Sequence, residues 1–163
     1  MSKFETSKTS GVHKRLEAFV GNWKGTCKTW FEPDVLVDES PMEGSLRLTL
    51  GGRFLLYEYT GTLQGKSFEG LNILGYDLST GTFQSAWIDS FHMSTGILFS
   101  EGEAGAEVFS VLGSYGGPDI PVPWGWRTTL EMISDNELIV TAFNITPDGQ
   151  EAKATETIYQ RVV

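Results

Sequence analysis

A single cysteine, Cys27, and only two histidines, His13 and His92, leave this 163-residue chain without an intrachain disulfide or a cysteine-based metal cluster. The two imidazoles lie far apart in sequence, and no HxH or HExxH spacing makes a zinc site of them. The acidic stretch with Asp34, Asp38 and Glu39 lacks the spacing of a calcium loop and reads as a solvated loop. Basic residues are also scarce. Twelve Lys and Arg against 21 Asp and Glu give a net charge of −9, which opposes binding to a phosphate backbone or an anionic lipid surface. Nucleic acid and membrane are therefore not expected partners. No apolar run approaches the length of a membrane helix, and the polar start MSKFETSKTS has no apolar leader segment. Together with the lone cysteine, this points to a cytoplasmic, unprocessed chain. Nucleophile and phosphate signatures are missing too. There is no GxSxG, and Gly113-Ser114-Tyr115-Gly116-Gly117 runs into prolines instead of a helix N-terminus. Cys27, inside a strand-like run, reads as a small buried apolar residue.

What the chain does have is glycine and tryptophan, 19 and 5 respectively, in a sequence that is 40% apolar. Many tight turns between aromatic-rich strands follow from that mixture, so the class is all-β and the length fits one domain. Residues 1–10 are expected to be a flexible N-terminus. Val12, Leu16, Phe19 and Val20 then recur at helical spacing, with Thr9 or Ser10 as N-cap and Gly21 as the stop, predicting a helix over 11–20. Its apolar stripe suits it to cover one end of a barrel. From residue 22 the pattern changes to about ten strand-like runs, near 22–31, 43–50, 53–61, 66–76, 82–90, 93–101, 107–115, 124–133, 137–146 and 151–162. Gly51-Gly52, Gly65-Lys66, Ser79-Thr80-Gly81, Asp135-Asn136 and Pro147-Asp148-Gly149 supply hairpin signals between them. The spacing predicts a single antiparallel up-and-down β-barrel domain over 11–163. Two long interruptions, 33–41 and the proline-rich 116–123, read as loops, because proline cannot sit within a central strand.

A barrel places alternate side chains inside, so polar residues embedded in apolar runs are the candidates for a site. Glu58 lies between Tyr57 and Tyr59, Asn72 between Leu71 and Ile73, Asp89 two residues after Trp87, and Arg127 directly after Trp126. An inward Asp89 needs a partner such as Arg127 or a ligand group, since an unpaired buried charge is costly. Strand phase leaves open whether each of these faces inward. Trp87-Ile88-Asp89-Ser90-Phe91-His92 combines an aromatic wall, a carboxylate and an imidazole, the mixture that orients a small ligand in an apolar pocket. On a regular strand residues 89 and 92 point to opposite faces, so an Asp89–His92 pair requires a turn at Ser90-Phe91. Tyr57, Trp87, Trp124 and Trp126 are the candidate apolar walls, with Asp89, His92, Arg127, Asn72 and Glu58 as polar groups.

The succession GNWKG, LGGRFLLYEYTGT, FEGLNILGYD, FQSAWIDS, then PDGQEAK and TIYQR, resembles the small bacterial family of unknown function DUF1579, itself similar to calycins, over Val20 to Val163. That resemblance implies a calycin-like barrel with an internal ligand site, as in lipocalins and fatty-acid-binding barrels, and implies no particular reaction. It also implies that Trp23 in the first strand packs against Arg161 in the last, a structural closure of one barrel end. Gly21-Asn22-Trp23-Lys24-Gly25 is similar as well to the opening of the haem-binding nitrobindins, which hold iron through a late histidine. No histidine follows His92 here, so haem is the third reading and no cofactor or metal is expected. The expected function is non-catalytic binding of a small, partly hydrophobic ligand. The alternative is an enzyme using Asp89, Glu58 or His92 as acid or base. Aromatic residues in 116–126 suggest a surface for pairing as a homodimer.

Overall fold

The computed structural model describes all residues, Met1 to Val163. Its ten strands are β1 (Gly21–Glu32), β2 (Val35–Thr49), β3 (Phe54–Leu63), β4 (Lys66–Asp77), β5 (Thr82–Asp89), β6 (Leu98–Glu101), β7 (Phe109–Gly117), β8 (Ile120–Ser134), β9 (Glu137–Ile145) and β10 (Glu151–Arg161). Each pairs antiparallel with its sequence neighbours, and β1 pairs with β10, closing the sheet into a barrel with no free edge around its girth. Local chemistry sets the turns. Between β3 and β4, Gln64 and Gly65 both take positive φ, 50° and 80°, the left-handed conformation that a two-residue hairpin loop demands.

Residues 1–10 are not a loose arm. Lys3–Ser10 form a helix, α1, started by a capping box in which the Ser2 hydroxyl accepts from the Glu5 amide and the Glu5 carboxylate accepts from the Ser2 amide. Tertiary contacts hold it: Ser7 is buried and bonds His13, Lys8 Nζ donates to the Gly51 carbonyl, and Arg53 lies 4.3 Å over the Phe4 ring. The polar composition hid this, because α1 has almost no apolar face and is fixed by its cap and these bonds. Gly11, in extended conformation, ends the first helix, so the second helix, α2 (Val12–Leu16), starts there without the expected Thr9 or Ser10 cap and continues as a 3₁₀ turn through Phe19.

The two long interruptions are largely strand. β2 begins at Val35 and includes Pro41, while β8 begins at Ile120 and includes Pro121 and Pro123. Both are compatible with the missing proline N–H, because each lies where the second neighbour is absent: pairing of β2 with β3 starts at Met42, and pairing of β8 with β9 starts at Gly125. Trp124 and Trp126 are accordingly half-buried and not exposed aromatics.

The core is layered along the barrel axis. At the helical end Leu16, Trp23, Leu46, Leu55, Leu74, Val111, Leu130 and Leu138 pack as a buried apolar plug. Arg161 lies 4.3 Å over the Trp23 ring and donates to the carbonyls of Ala18, Val20 and Asp135, while Trp23 Nε1 donates to the Phe19 carbonyl. This is the closed end of the barrel. Above it the interior turns polar and aromatic. No helix is long and apolar enough to cross a membrane.

Candidate functional site

Alternation along β3, β4 and β5 aligns two inward rows. The first is Tyr57, Asn72 and Trp87, directly opposite one another, and the second, one pleat nearer the open end, is Tyr59, Gly70 and Asp89. Between and beside them lies a cavity of about 60 Å³ lined by Cys27, Tyr57, Tyr59, Asn72, Trp87, His92, Trp126 and the threonines at 29, 128, 155 and 157 among others. Trp126, from β8, stacks on Trp87 with ring centroids 5.5 Å apart. Phe31, Phe68 and Phe91 gather next to His92 at the mouth.

Asp89 organises the open end. Its Oδ2 accepts the Tyr59 hydroxyl, and that hydroxyl in turn accepts from Trp87 Nε1 at 2.7 Å. Its Oδ1 accepts the backbone amides of Phe91 and His92, both at 2.6 Å. Those two bonds form an Asx-type turn immediately after β5, and the turn brings His92 back to the side of Asp89. The pairing that a regular strand forbids is therefore present: His92 Nδ1 lies 3.2 Å from Asp89 Oδ1. The geometry is out of line for a hydrogen bond, and Nδ1 has no other partner. A nitrogen lone pair facing a carboxylate is repulsive, which assigns the ring proton to Nδ1 and leaves Nε2 as the acceptor in the neutral ring.

The electrostatics follow from burial and partners. Burial raises the Asp89 pKa, but the His92 ring, the Tyr59 hydroxyl and the His92 amide outweigh it and hold the carboxyl below its ordinary value of 3.8. Tyr59 is pushed well above the ordinary phenol value, chiefly by burial and then by the adjacent Asp89 charge. Tyr57 and Tyr159, whose hydroxyls meet at 2.6 Å, are raised chiefly by burial. Burial likewise raises Cys27, so its thiol stays protonated and is no reactive thiolate.

Of the residues singled out from sequence, Tyr57, Asn72, Trp87, His92 and Trp126 line this cavity, with Asp89 one hydrogen bond behind Tyr59. Two do not belong. Glu58 faces outward and pairs with Arg47 at 3.2 Å, and Arg127 faces outward and pairs with Glu151 at 2.9 Å. Strand phase puts them there, since their neighbours Tyr57, Tyr59 and Trp126 take the inward positions. Arg127 is thus not the partner of Asp89. Trp124 is half-buried but outside the cavity lining. Tyr59 is the main residue that sequence reasoning missed, although its place one pleat from Tyr57 was the available signal.

A larger furrow, about 830 Å³, runs along the outer surface of β1 to β5 past Lys24, Glu43, Glu58 and Glu69. It is open to solvent, and Lys24–Glu43 and Arg47–Glu58 are surface pairs of the ordinary kind. No group of three or more His, Cys, Asp or Glu gathers anywhere as a metal-binding cluster.

No curated protein matches the chain. Among solved structures, one of a protein named provisionally as a thioesterase II, from Thermobifida fusca YX, is similar at 8% identity over 95% of this chain and 85% of that one, with a TM-score of 0.24 that carries no functional argument. The model of DUF1579, proteins of unknown function, matches residues 8–161, and the chain belongs to that family.

Proposed function

We propose that the barrel interior is a binding site for a small, partly apolar molecule. The observation that carries this reading is Asn72, a residue of the cavity wall that is 5% exposed and whose Oδ1 has no hydrogen-bond partner in the protein. A buried amide without its partners costs about 1–3 kcal/mol, so a site that keeps one is suited to a polar ligand group that meets the amide. Flat indole faces and Phe68 supply apolar contact beside it. Size bounds the ligand. At about 60 Å³ the cavity is far below the roughly 300–1,000 Å³ of pockets for drug-sized molecules, which favours a body of a few non-hydrogen atoms over a lipid or a porphyrin.

A second reading, acid–base catalysis, draws on the 3.2 Å approach of His92 to Asp89, an imidazole held beside a carboxylate that is itself bonded by Tyr59. Binding is preferred, because every strong bond of Asp89 is already committed within the protein and no nucleophile lies among the cavity residues with a base beside it.

The test is uptake from a mixture of small metabolites, followed by native mass spectrometry and by the indole N–H resonances of Trp87 and Trp126. A one-to-one adduct with shifts at both indoles is expected. A protein that takes up nothing at millimolar concentrations sinks the proposal.

A further inference from the structure

Two hairpins overhang the open end of the barrel. β1 meets β10 only as far as Thr29 and β2 meets β3 only from Met42, so the tip between them stands clear of both outer neighbours. The tip between β7 and β8 does the same, because β7 meets β6 only up to Gly113 and β8 meets β9 only from Gly125. The connection from β5 to β6 joins them into one rim. Its Phe91 stacks on Phe31 of the first hairpin with ring centroids 6.4 Å apart, and its His92 lies 5.8 Å from the Trp126 ring of β8.

This rim is apolar. Phe31, Val35, Leu36, Phe91, Ile97 and Val122 are between 46% and 73% exposed, a grouping of large side chains that marks an interaction surface better than a folding requirement. The side chains are what it offers, since Pro41 on β2 and Pro121 and Pro123 on β8 have no N–H to give and blunt the unpaired strand edges.

Charge selects the occupant. Residues 30–39, 90–97 and 116–124 include Glu32, Asp34, Asp38, Glu39 and Asp119 and no Lys or Arg. None of these five carboxylates forms an ion pair. Of the twelve Lys and Arg, only Lys28, Lys66, Arg127 and Lys153 lie on the open half, and the last two are held by Glu151 and Glu156. A second copy docked rim to rim would set like charges together. A membrane is no better suited: anionic lipid repels the rim, and insertion into a neutral bilayer would pull carboxylates from water.

We infer that the open-end rim is a docking surface for a basic amphipathic segment of another protein. The partner's apolar side chains cover Phe31, Leu36 and Val122, and its Lys and Arg meet Glu32, Asp34 and Asp119. The surface is independent of what the cavity holds.

Three synthetic peptides of equal length test this, titrated into the full chain by calorimetry and followed by backbone amide resonances: an amphipathic Leu/Lys helix of about four turns, its Leu/Glu counterpart, and a Lys/Ser peptide of the same charge. The Leu/Lys peptide is expected to bind about tenfold or more tighter than either of the others, with shifts confined to 30–39, 90–97 and 116–124. Leu36→Ser/Val122→Ser, at exposed positions, is expected to weaken it about tenfold with the charges intact. Glu32→Gln/Asp34→Asn/Asp119→Asn is expected to remove most of its salt dependence, while Glu103→Gln/Glu107→Gln, between β6 and β7 at the closed end, leaves binding unchanged. Failure of the Leu/Lys peptide to bind, equal binding of the Lys/Ser peptide, or equal loss from the Glu103/Glu107 variant overturns the proposal. So does self-association in sedimentation velocity, or co-sedimentation with phosphatidylcholine vesicles, that involves the same amides, since either gives the rim to a different occupant.

Discussion

Tyr59 reaches Asp89 by lying across Gly70. The three residues are direct neighbours on β3, β4 and β5, and the missing side chain in the middle is the space the phenol ring occupies. A methyl group on Gly70 would overlap the phenol oxygen and the carbon that bears it. Glycine normally weakens a strand interior, so its presence here reflects this close approach. Gly70→Ala is expected to destabilise the protein by about 1–3 kcal/mol in urea denaturation, as overpacking of a filled core does. In a Tyr59→Leu background the same substitution should cost nothing, because the ring it collides with is gone. Equal costs in the two backgrounds would show that the ring and Gly70 are not coupled.

Asp89 makes stability depend on acid. Its folded-state pKa lies below 3.8, so the ionised carboxylate contributes stability that is fully present above that value and is lost as pH falls through the lower, folded value. Hydrogen bonds to a charged acceptor contribute about 1.5–3 kcal/mol each, and Asp89→Asn should therefore be less stable than wild type by about 2–4 kcal/mol at pH 7. The gap should narrow towards pH 2. Urea midpoints at both pH values check this, and a gap independent of pH would show that the charge is not what Tyr59 and the two amides hold.

The phenols act at the other end of the scale. Tyr57, Tyr59 and Tyr159 all have folded values raised above the ordinary 10 by burial, so stability is fully present below pH 10 and is lost as pH rises beyond it. In a spectrophotometric titration near 295 nm these three are expected to ionise only together with loss of the near-ultraviolet circular dichroism signal. Smooth ionisation of all five tyrosines in a folded protein would contradict their burial.

Much of this was legible before the structure. Alternation and turn residues carried the strand count, because period-two patterning follows directly from which face is buried. The inward set Tyr57, Asn72, Trp87 and Asp89 follows from that phase once one member is placed, yet the phase itself was ambiguous in runs such as LLYEYTGT, where apolar and polar residues occupy both faces. Glu58 and Arg127 were misplaced for that reason: each sits one residue from an inward aromatic. The Asp89–His92 approach depends on two backbone amides folding onto Oδ1, a local event that spacing excludes on a regular strand. Helix α1 was invisible because its stability comes from a cap and from Arg53 and Gly51, which are more than 40 residues away in sequence.

On the proposed binding role, Asn72 sets function against stability. Its buried Oδ1 has no partner within the protein, and Asn72→Leu exchanges the amide for an apolar group of similar shape between Tyr57 and Trp87. The variant should gain about 1 kcal/mol, a rise of roughly 2–4 °C in Tm for a chain of this size. A loss of stability instead would mean that Asn72 is already satisfied within the fold.

Arg161 separates the two ends of the barrel experimentally. Its guanidinium lies over Trp23 and bonds carbonyls of Ala18, Val20 and Asp135, tying the last strand to the turn that precedes the first. Arg161→Met keeps the aliphatic stem and removes the cation and all three bonds, for an expected loss of about 2–3 kcal/mol. The apolar plug of Leu46, Leu55, Leu74 and Leu138 stands between this end and the cavity, so the indole resonance of Trp23 should move while those of Trp87 and Trp126 stay in place. Ligand uptake should then be unchanged at temperatures where the variant is folded. A parallel loss of affinity would mean that the plug transmits strain along the axis, and that the closed end helps to shape the site.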